Sequence, residues 1–442
     1  MQERDRFESV ASERAVLVRV ILPEDPQEID PLAELTGLAT TAQTEVVGTL
    51  TQRRNKPDPG AYVGKGKLEE LASMVKLTEA DVVIFDNDLT PGQTRNLEKG
   101  INVKVIDRTE LILDIFASSA QTYEARLAVE LAQLEYSLPR LKRMWTHLSR
   151  YNMGIGMRGP GEKQLEVDRR LAEKRIHDLK TELAGIEKRK ARQVAARSEQ
   201  MTVSLVGYTN AGKSTLMNAL TDAGVMAEDK LFATLDTRTR RWQLPNWGPV
   251  LLSDTVGFIR DLPHRLIASF KATLEEARQA DLLLHVADAS NPSALNQITA
   301  VYQVLTELGI EEKDTLLVVN KIDRPESVSY LDAILNRYPH AVAISAFSRE
   351  GFEKLAMSVS DALSRSFLDI DVEFGVENGK LMAFLAAKGE VLSRTYHGER
   401  VTIHCRLAEK YVGRISPEEA TIHRRSQQKR KGEEPGAIEE VA

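Results

Sequence analysis

Disulfide chemistry is closed to this chain: its 442 residues include one cysteine, Cys405. A lone thiol excludes an internal disulfide framework and is expected of a reducing compartment. Cys405 lies in the strand-like ERVTIHCRL and reads as an inert strand residue. Zinc is excluded on similar grounds, because one cysteine and scattered histidines such as His147 and His177 supply no tetrahedral ligand set. Long apolar runs are missing too. None approaches the roughly 20 residues that cross a bilayer, and the start, MQERDRFESV, has neither an apolar core nor a small-residue cleavage pattern. A cytoplasmic protein with no membrane partner is expected. Nor is there an overall excess of positive charge, since the net value is −6. That figure hides an asymmetry: from Pro139 to Gln200 there are 16 Lys and Arg against 8 Asp and Glu. A solvated helical face explains such a stretch as readily as a nucleic-acid surface does.

Length predicts about three domains, at roughly 100–200 residues each. The strand-like runs AVLVRVIL, TEVVGTL, ADVVIFD and INVKVID alternate with the helix-like KLEELASMVK and PGQTRNLEKG, which implies a covered, mainly parallel sheet in an α/β domain over 1–115. Between 116 and 200 the period changes. Leu127, Leu131, Leu134, Leu138, Leu141, Trp145 and Leu148 step by four and three, with Pro139 expected to kink or break the helix. Ile176, Leu179, Leu183 and Ile186 repeat the spacing, so two seamed helices are expected to fold back as an antiparallel hairpin. Its tip carries Gly154-Ile-Gly156-Met-Arg-Gly159. This is the spacing of a dinucleotide fingerprint, but it follows a helix rather than a strand and so fails the context that fingerprint needs. The glycines are expected instead to let the chain reverse tightly. A doubly wound, mainly parallel α/β domain is expected over 201–366, a small α+β domain over 367–416, and a disordered tail over 417–442.

The chemistry is concentrated in the third segment. A strand at Val203 to Val206 runs into Gly207-Tyr208-Thr209-Asn210-Ala211-Gly212-Lys213-Ser214, a complete G-x-x-x-x-G-K-S, followed by the helix-like TLMNAL. The glycines let backbone amides curl round phosphates and the helix N-terminus adds partial positive charge. Lys213 is placed to reach the β and γ phosphates and Ser214 to offer its hydroxyl to Mg²⁺. Next, Asp254-Thr255-Val256-Gly257 ends an apolar strand. There a carboxylate can hold Mg²⁺ through water, and the Gly257 amide can sense a γ-phosphate. Asn320-Lys321-Ile322-Asp323 follows another apolar strand. A carboxylate at Asp323 can accept from both N1–H and the 2-amino group of guanine, a pair that adenine lacks. Ser345-Ala346-Phe347 closes the set, with a backbone amide for guanine O6. GTP is therefore the expected ligand and GTP hydrolysis the expected reaction.

These residues resemble the translation-factor class of P-loop GTPases. More closely, YVGKGKLEEL, VIDRTELILDIF, RGPGEKQLEVDRR, SLVGYTNAGKSTL and LFATLDTRTRR are similar to the HflX family of bacterial ribosome-associated GTPases, over about Ala15 to Ser366. The resemblance implies a switch segment Phe232-Ala233-Thr234-Leu235-Asp236. Within it Thr234 closes on Mg²⁺ and joins Lys213 and Gly257 as a catalytic residue, with Thr237 and Thr239 as rivals. It implies that Asn210 holds a K⁺ near the phosphates, a role that fixing the loop by hydrogen bonds matches equally. It also implies a monomer that binds the large ribosomal subunit through rRNA contacts near the hairpin tip, among them Arg150, Arg158 and Lys163, and splits stalled or stressed ribosomes. Arg140, Lys142 and Arg143 are counted in the same cluster; Tyr151 and Trp145 are candidates for base stacking, Trp145 being equally a seam residue.

One departure bears on mechanism. Phe258 follows Asp-Thr-Val-Gly, where Ras-like enzymes carry the glutamine that orients water, so intrinsic hydrolysis is expected to need help from a partner or an ion at Asn210. His264 in RDLPHRL reads as a loop residue rather than a general base. Two other functions compete: a GTP switch that acts through protein partners alone, and an added RNA-remodelling ATPase in the N-terminal domain. The latter's only glycine/lysine-rich loop, YVGKGK, lacks P-loop spacing.

Overall fold

The computed structural model describes residues 10–25, 30–144, 160–196, 200–221, 232, 238–244, 248–260, 276–310, 314–365, 367–416 and 419–425. These group into two compact units, one up to Leu355 and one from Ala356 onward.

The first unit opens with four parallel strands, β1 (Arg14–Ile21), β2 (Glu45–Arg53), β3 (Val82–Phe85) and β4 (Lys104–Asp107), in the order β2-β1-β3-β4. Helices α1 (Ala33–Thr41), α2 (Lys65–Thr78), α3 (Pro91–Ile101) and α4 (Arg108–Ser119) connect and cover them. β3 reads as an unbroken apolar run, and β1 as one interrupted by the buried Arg19, because both faces of a covered parallel strand are buried. Helix α3 starts where the sequence dictates: Thr90 and Gln93 form a capping box, with Pro91 in the first turn. Asp107 caps α4 by accepting from the Glu110 amide at 3.0 Å.

The expected hairpin is α5 (Tyr123–Met144) and α6 (Pro160–Ala196). Its seams meet: Leu127, Leu131, Leu179, Leu183 and Ile186 are buried in one core, with Leu134 and Ile176 packed on it. The antiparallel register is held by Tyr123 Oη donating to Glu182 at 2.6 Å and by Arg175 gripping Glu130 with two bonds of 2.6 and 2.7 Å. Pro139 does not break α5, which continues to Met144. The tip, with Trp145, His147, Leu148, Arg150, Tyr151, Gly154 and Arg158, lies outside the described residues. Arg140 is drawn away from the basic cluster assigned to it. It donates to Asp107 at 2.9 Å and to the Leu89 carbonyl at 3.1 Å, and lies 3.4 Å over the Tyr136 ring.

Beyond the hairpin comes a six-stranded sheet of β5 (Thr202–Gly207), β6 (Arg238–Leu244), β7 (Gly248–Asp254), β8 (Leu282–Asp288), β9 (Thr315–Asn320) and β10 (Val342–Ala343). Its order is β10-β9-β8-β5-β7-β6, parallel except for β6. Helices α7 (Lys213–Thr221), α8 (Ala294–Glu307) and α9 (Val328–Arg337) belong to it, and α10 (Phe352–Arg365) follows. The three leading segments share a hydrophobic core. One cluster runs from Leu17 and Ile84 through Ile112 and Phe116 and the hairpin seam to Val206, Phe232 and Phe258. One apolar face of each is therefore buried against the others, while the opposite face of the N-terminal sheet, from Val16 and Leu71 to Phe85 and Leu97, and the region around Ile298, Leu317 and Ile334 keep cores of their own.

In the second unit, β11 (Phe367–Gly375), β12 (Gly389–His397), β13 (Arg400–Ala408) and β14 (Ala420–Arg424) form an antiparallel sheet of order β12-β13-β11-β14, with α11 (Gly379–Lys388) and the short α12 (Glu409–Val412). β14 corrects the expected tail. Residues 420–424 pair with β11 because Ala420 buries its side chain there and the free edge of β11 offers a ladder. Cys405 is fully buried in β13, and burial, with Asp371 and Asp369 adding to it, pushes its thiol up to about 11. It is the inert strand residue that the sequence indicated.

Candidate functional site

Five strand ends and the loops after them converge at one edge of the six-stranded sheet. β5 delivers Gly207 at φ 150°, where a side chain would collide with the Val286 carbonyl, and Gly212 at φ 90°, where it would collide with Asn320 Nδ2. Both glycines are therefore demanded by backbone conformation and by space. Between them the loop curls so that Lys213, at the first turn of α7, folds back onto it, its Nζ donating to the carbonyls of Gly207 (3.0 Å) and Tyr208 (2.8 Å). Lys213 is buried, and that desolvation lowers its pKa to about 8, opposed by Asp254 and reinforced by Lys321. A polyanion beside it restores the charge.

Ser214 Oγ donates to Asp254 Oδ2 at 2.7 Å, and Asp254 is buried. A hydroxyl and a carboxylate this close are hard oxygen donors of the kind Mg²⁺ takes, the remainder of its shell being water and phosphate. The donor set fits. Among the described residues no group of three His, Cys, Asp or Glu forms a separate metal site. Thr255 Oγ1 donates to the Leu205 carbonyl at 2.6 Å, which locks the end of β7 to β5, and Val256 packs in the core beyond it.

The base side of the cleft is built around Asn320. Its Nδ2 donates to the Ala211 carbonyl and its Oδ1 accepts the Ala346 amide, each at 2.9 Å. Lys321 donates to the Asn210 carbonyl at 2.7 Å and pairs with Asp288 at 2.7 Å. The Ile322 amide donates to the Ile344 carbonyl at 3.3 Å, and Ser345 Oγ accepts the Ser348 amide at 3.0 Å. Asp323 is exposed and Phe347 is 87% exposed.

Of the switch segment only Phe232 is described; Ala233, Thr234, Leu235, Asp236 and Thr237 lie outside the described residues. Phe232 turns its ring inward, edge-on to Phe116 at 4.6 Å, and its amide donates to Thr209 Oγ1 of the phosphate loop at 3.0 Å. Thr239 lies on β6 and donates to Glu276 at 3.2 Å. Phe258 is also a core residue, and its backbone is zipped to the phosphate loop: its amide donates to the Gly207 carbonyl at 3.0 Å and its carbonyl accepts the Thr209 amide at 2.6 Å. Arg150 and Arg158 are outside the described residues; Lys163 lies on α6, with its side chain among those not described.

Two features escape a linear reading. His285, fully buried in β8 and edge-on to Tyr302 at 5.0 Å, is held neutral, its pKa lowered to about 3 by burial and by Lys213. It interrupts the apolar LLLHVAD, which was a visible signal. The other is a cluster of Glu34, Asp86 and Arg108 from the N-terminal sheet region, which meets Tyr208 and Arg260. Burial works against the Arg108 charge, but Glu34 and Asp86 outweigh it and raise its pKa. No local pattern marks these residues, which come together only in three dimensions.

Family models match consecutive stretches: a GTP-binding GTPase N-terminal region over 30–117, a GTP-binding GTPase middle region over 119–197, and a 50S ribosome-binding GTPase over 202–321. The chain is 47% identical to the GTPase HflX of Magnetococcus marinus over 413 residues, covering 92% of this chain and 95% of that protein. It is 47% identical to the GTPase HflX of Escherichia coli over 380 residues, 85% and 88% of the two chains. A solved GTP-binding protein from Sulfolobus solfataricus in complex with GDP is 24% identical, with a TM-score of 0.42, over 80% of this chain and 99% of that one.

Proposed function

The chain belongs to the HflX family of GTPases and binds and hydrolyses GTP, and from that premise we propose that it is a large-subunit-binding factor that splits stalled or stressed ribosomes. The observation that supports this most is the fold-back hairpin, which carries a basic excess towards a glycine-rich tip and shares one core with the GTPase sheet. Phosphate contacts at Arg150, Arg158 and Lys163 bind rRNA with an affinity that falls steeply with salt. GTP favours the bound, splitting-competent form and hydrolysis permits release. The protein acts as a monomer in the cytoplasm; among the described residues no helix is long and apolar enough to cross a membrane.

The chemistry follows from the cleft. Amides of the 207–214 loop and the N-terminus of α7 cradle the phosphates, and Lys213 contacts the β and γ groups. Ser214, Asp254 through water, and Thr234 would hold Mg²⁺, which would neutralise charge developing on the phosphates. Asn210 supplies a ligand for K⁺. Asp323 reads guanine N1–H and the 2-amino group, Ala346 meets O6, and Phe347 flanks the base. Gly257 presents its amide to the γ-phosphate. Phe258 carries a phenyl ring with no polar group to orient water, so that part of the site would be completed by the ribosome or by an ion at Asn210.

The test is GTPase activity with and without purified large subunits across a salt series. Stimulation that disappears as salt rises, and is weakened by neutralising Arg158 and Lys163 with GTP affinity intact, is the expected result. Equal turnover with and without subunits overturns the reading.

A further inference from the structure

Tyr208 is the second residue of the phosphate loop, yet its side chain leaves the nucleotide cleft. The phenol donates to Glu34 Oε2 on α1 at 3.0 Å and accepts the Arg260 amide at 2.7 Å. Glu34 is also ion-paired with Arg108. The Arg108 Nη2 that meets Glu34 also donates to the Arg260 carbonyl at 3.2 Å, and its Nη1 pairs with Asp86 at 2.7 Å. Asp86 in turn lies 3.4 Å from the Arg260 guanidinium. The segment that follows Asp254-Thr-Val-Gly257 is thus held from two sides. The loop backbone grips Phe258 and the Tyr208 phenol holds the Arg260 amide, while Arg108 of α4 holds the Arg260 carbonyl and Asp86, just after β3, its side chain.

What this grip places beside Lys213 matters. A Cβ built on Gly257 would come within 2.8 Å of Thr209 Cα and 3.1 Å of Lys213 Nζ. Gly257 therefore lies tight against the phosphate loop beside the ammonium, with no room for a side chain, and a third phosphate that reaches Lys213 must enter between them. A diphosphate, which ends one group earlier, makes no such demand. For Gly257 to present its amide to a γ-phosphate rather than block it, the segment must withdraw, and the bonds at Phe258 and Arg260 must give.

We propose that Glu34 is a positioning residue for the GTPase cycle: through the Tyr208 phenol and the Arg108 guanidinium it holds residues 257–260 against the phosphate loop, favouring diphosphate over triphosphate. The proposal rests on the nucleotide-site reading above. Glu34 suits the role because it bridges two groups that hold Arg260 by different routes, whereas Arg108 keeps a second carboxylate in Asp86. A cleft of 410 Å³ lies between α1 and the start of α8, lined by Glu34, Tyr208, Thr209, Arg260, Asp288 and Gln297, so the segment has space to move into once released. By linkage, whatever draws α1 away from Tyr208 favours GTP, and GTP loosens α1.

The test compares affinities for GDP and a non-hydrolysable GTP analogue in the full chain. Glu34→Ala is expected to raise analogue affinity about five- to tenfold while GDP affinity stays within about twofold, the size expected when charge-assisted hydrogen bonds bias two states. Tyr208→Phe, which leaves the Arg108 route in place, is expected to shift the analogue-to-GDP ratio in the same direction by a smaller factor, and the double variant to shift it by less than the product of the two single shifts. Equal changes for both nucleotides, no change in the ratio, or independent effects in the double variant overturn the proposal. Lys213→Ala in the same titration tests the site itself: retained nucleotide affinity there overturns the site reading rather than the role of Glu34.

Discussion

Asn320 and Ala211, 109 residues apart in sequence, are joined by a buried 2.9 Å hydrogen bond from side-chain amide to carbonyl. Because Asn320 also accepts the Ala346 amide, one side chain sets the distance between the phosphate loop and the base loop. Asn320→Ala leaves a buried carbonyl and a buried amide without their partner, at about 1–3 kcal/mol each. GTP and GDP affinity should therefore fall together, by about tenfold or more, in isothermal titration. A loss confined to one nucleotide would show that Asn320 acts elsewhere.

Burial of Lys213 lowers its pKa to about 8. Phosphate favours the charged amine, so nucleotide binding takes up a proton wherever the free protein has lost one. Affinity for GDP should thus decline as pH rises through about 8, and binding enthalpies at pH 8.5 should vary with buffer ionisation enthalpy in the direction of proton uptake. Buffer-independent enthalpies there would exclude Lys213 as the phosphate contact.

Asp107 is fully buried and its pKa is raised by that burial, offset by Arg140 and Tyr136. A raised carboxyl binds more protons folded than unfolded, so its contribution to stability falls as pH rises from its unfolded value through its folded one. Arg140→Ala removes the compensating charge and extends that window upward. The expected cost is about 3–5 kcal/mol, with the drop in thermal midpoint larger at pH 8 than at pH 5. An equal drop at both would mean that Arg140 works through packing on Tyr136 alone.

Phe258→Gln is expected not to raise intrinsic GTP hydrolysis. The ring lies in the core and the backbone is bonded to the phosphate loop, so a glutamine there faces apolar neighbours rather than the phosphates. Stability should fall by about 3–5 kcal/mol, the range for removing a buried phenylalanine. Single-turnover assays and melting curves read both effects, and a faster rate would show that the side chain at 258 leaves the core when the segment withdraws for the triphosphate.

Both halves of the site can be read in sequence. Gly207, Gly212, Lys213 and Ser214 sit in eight consecutive residues, and their strand and helix context is local, so spacing alone carries the chemistry. Asp254, Asn320 and Ser345 each end an apolar strand, which is again a short-range pattern. The hairpin seams were legible for the same reason: a period of three and four survives whatever the helix packs on. Helices α1 and α4 were less visible, since α1 has only nine residues and α4 is buried on most of its faces. β14 was hidden because five residues with one buried side chain carry almost no alternation. Arg140 reads in sequence as one more base in a charged run, and only the fold puts Asp107 beneath it.

The sequence by itself determined that this chain holds a guanine nucleotide and hydrolyses it, because phosphate and base recognition are built from contiguous backbone geometry and single side chains at strand ends. Only the tertiary structure decided what surrounds that site. Glu34 and Tyr208 are 174 residues apart and meet across a shared core. Buried polar groups take whichever partners the packing brings within 3 Å, and no spacing along the chain encodes that choice.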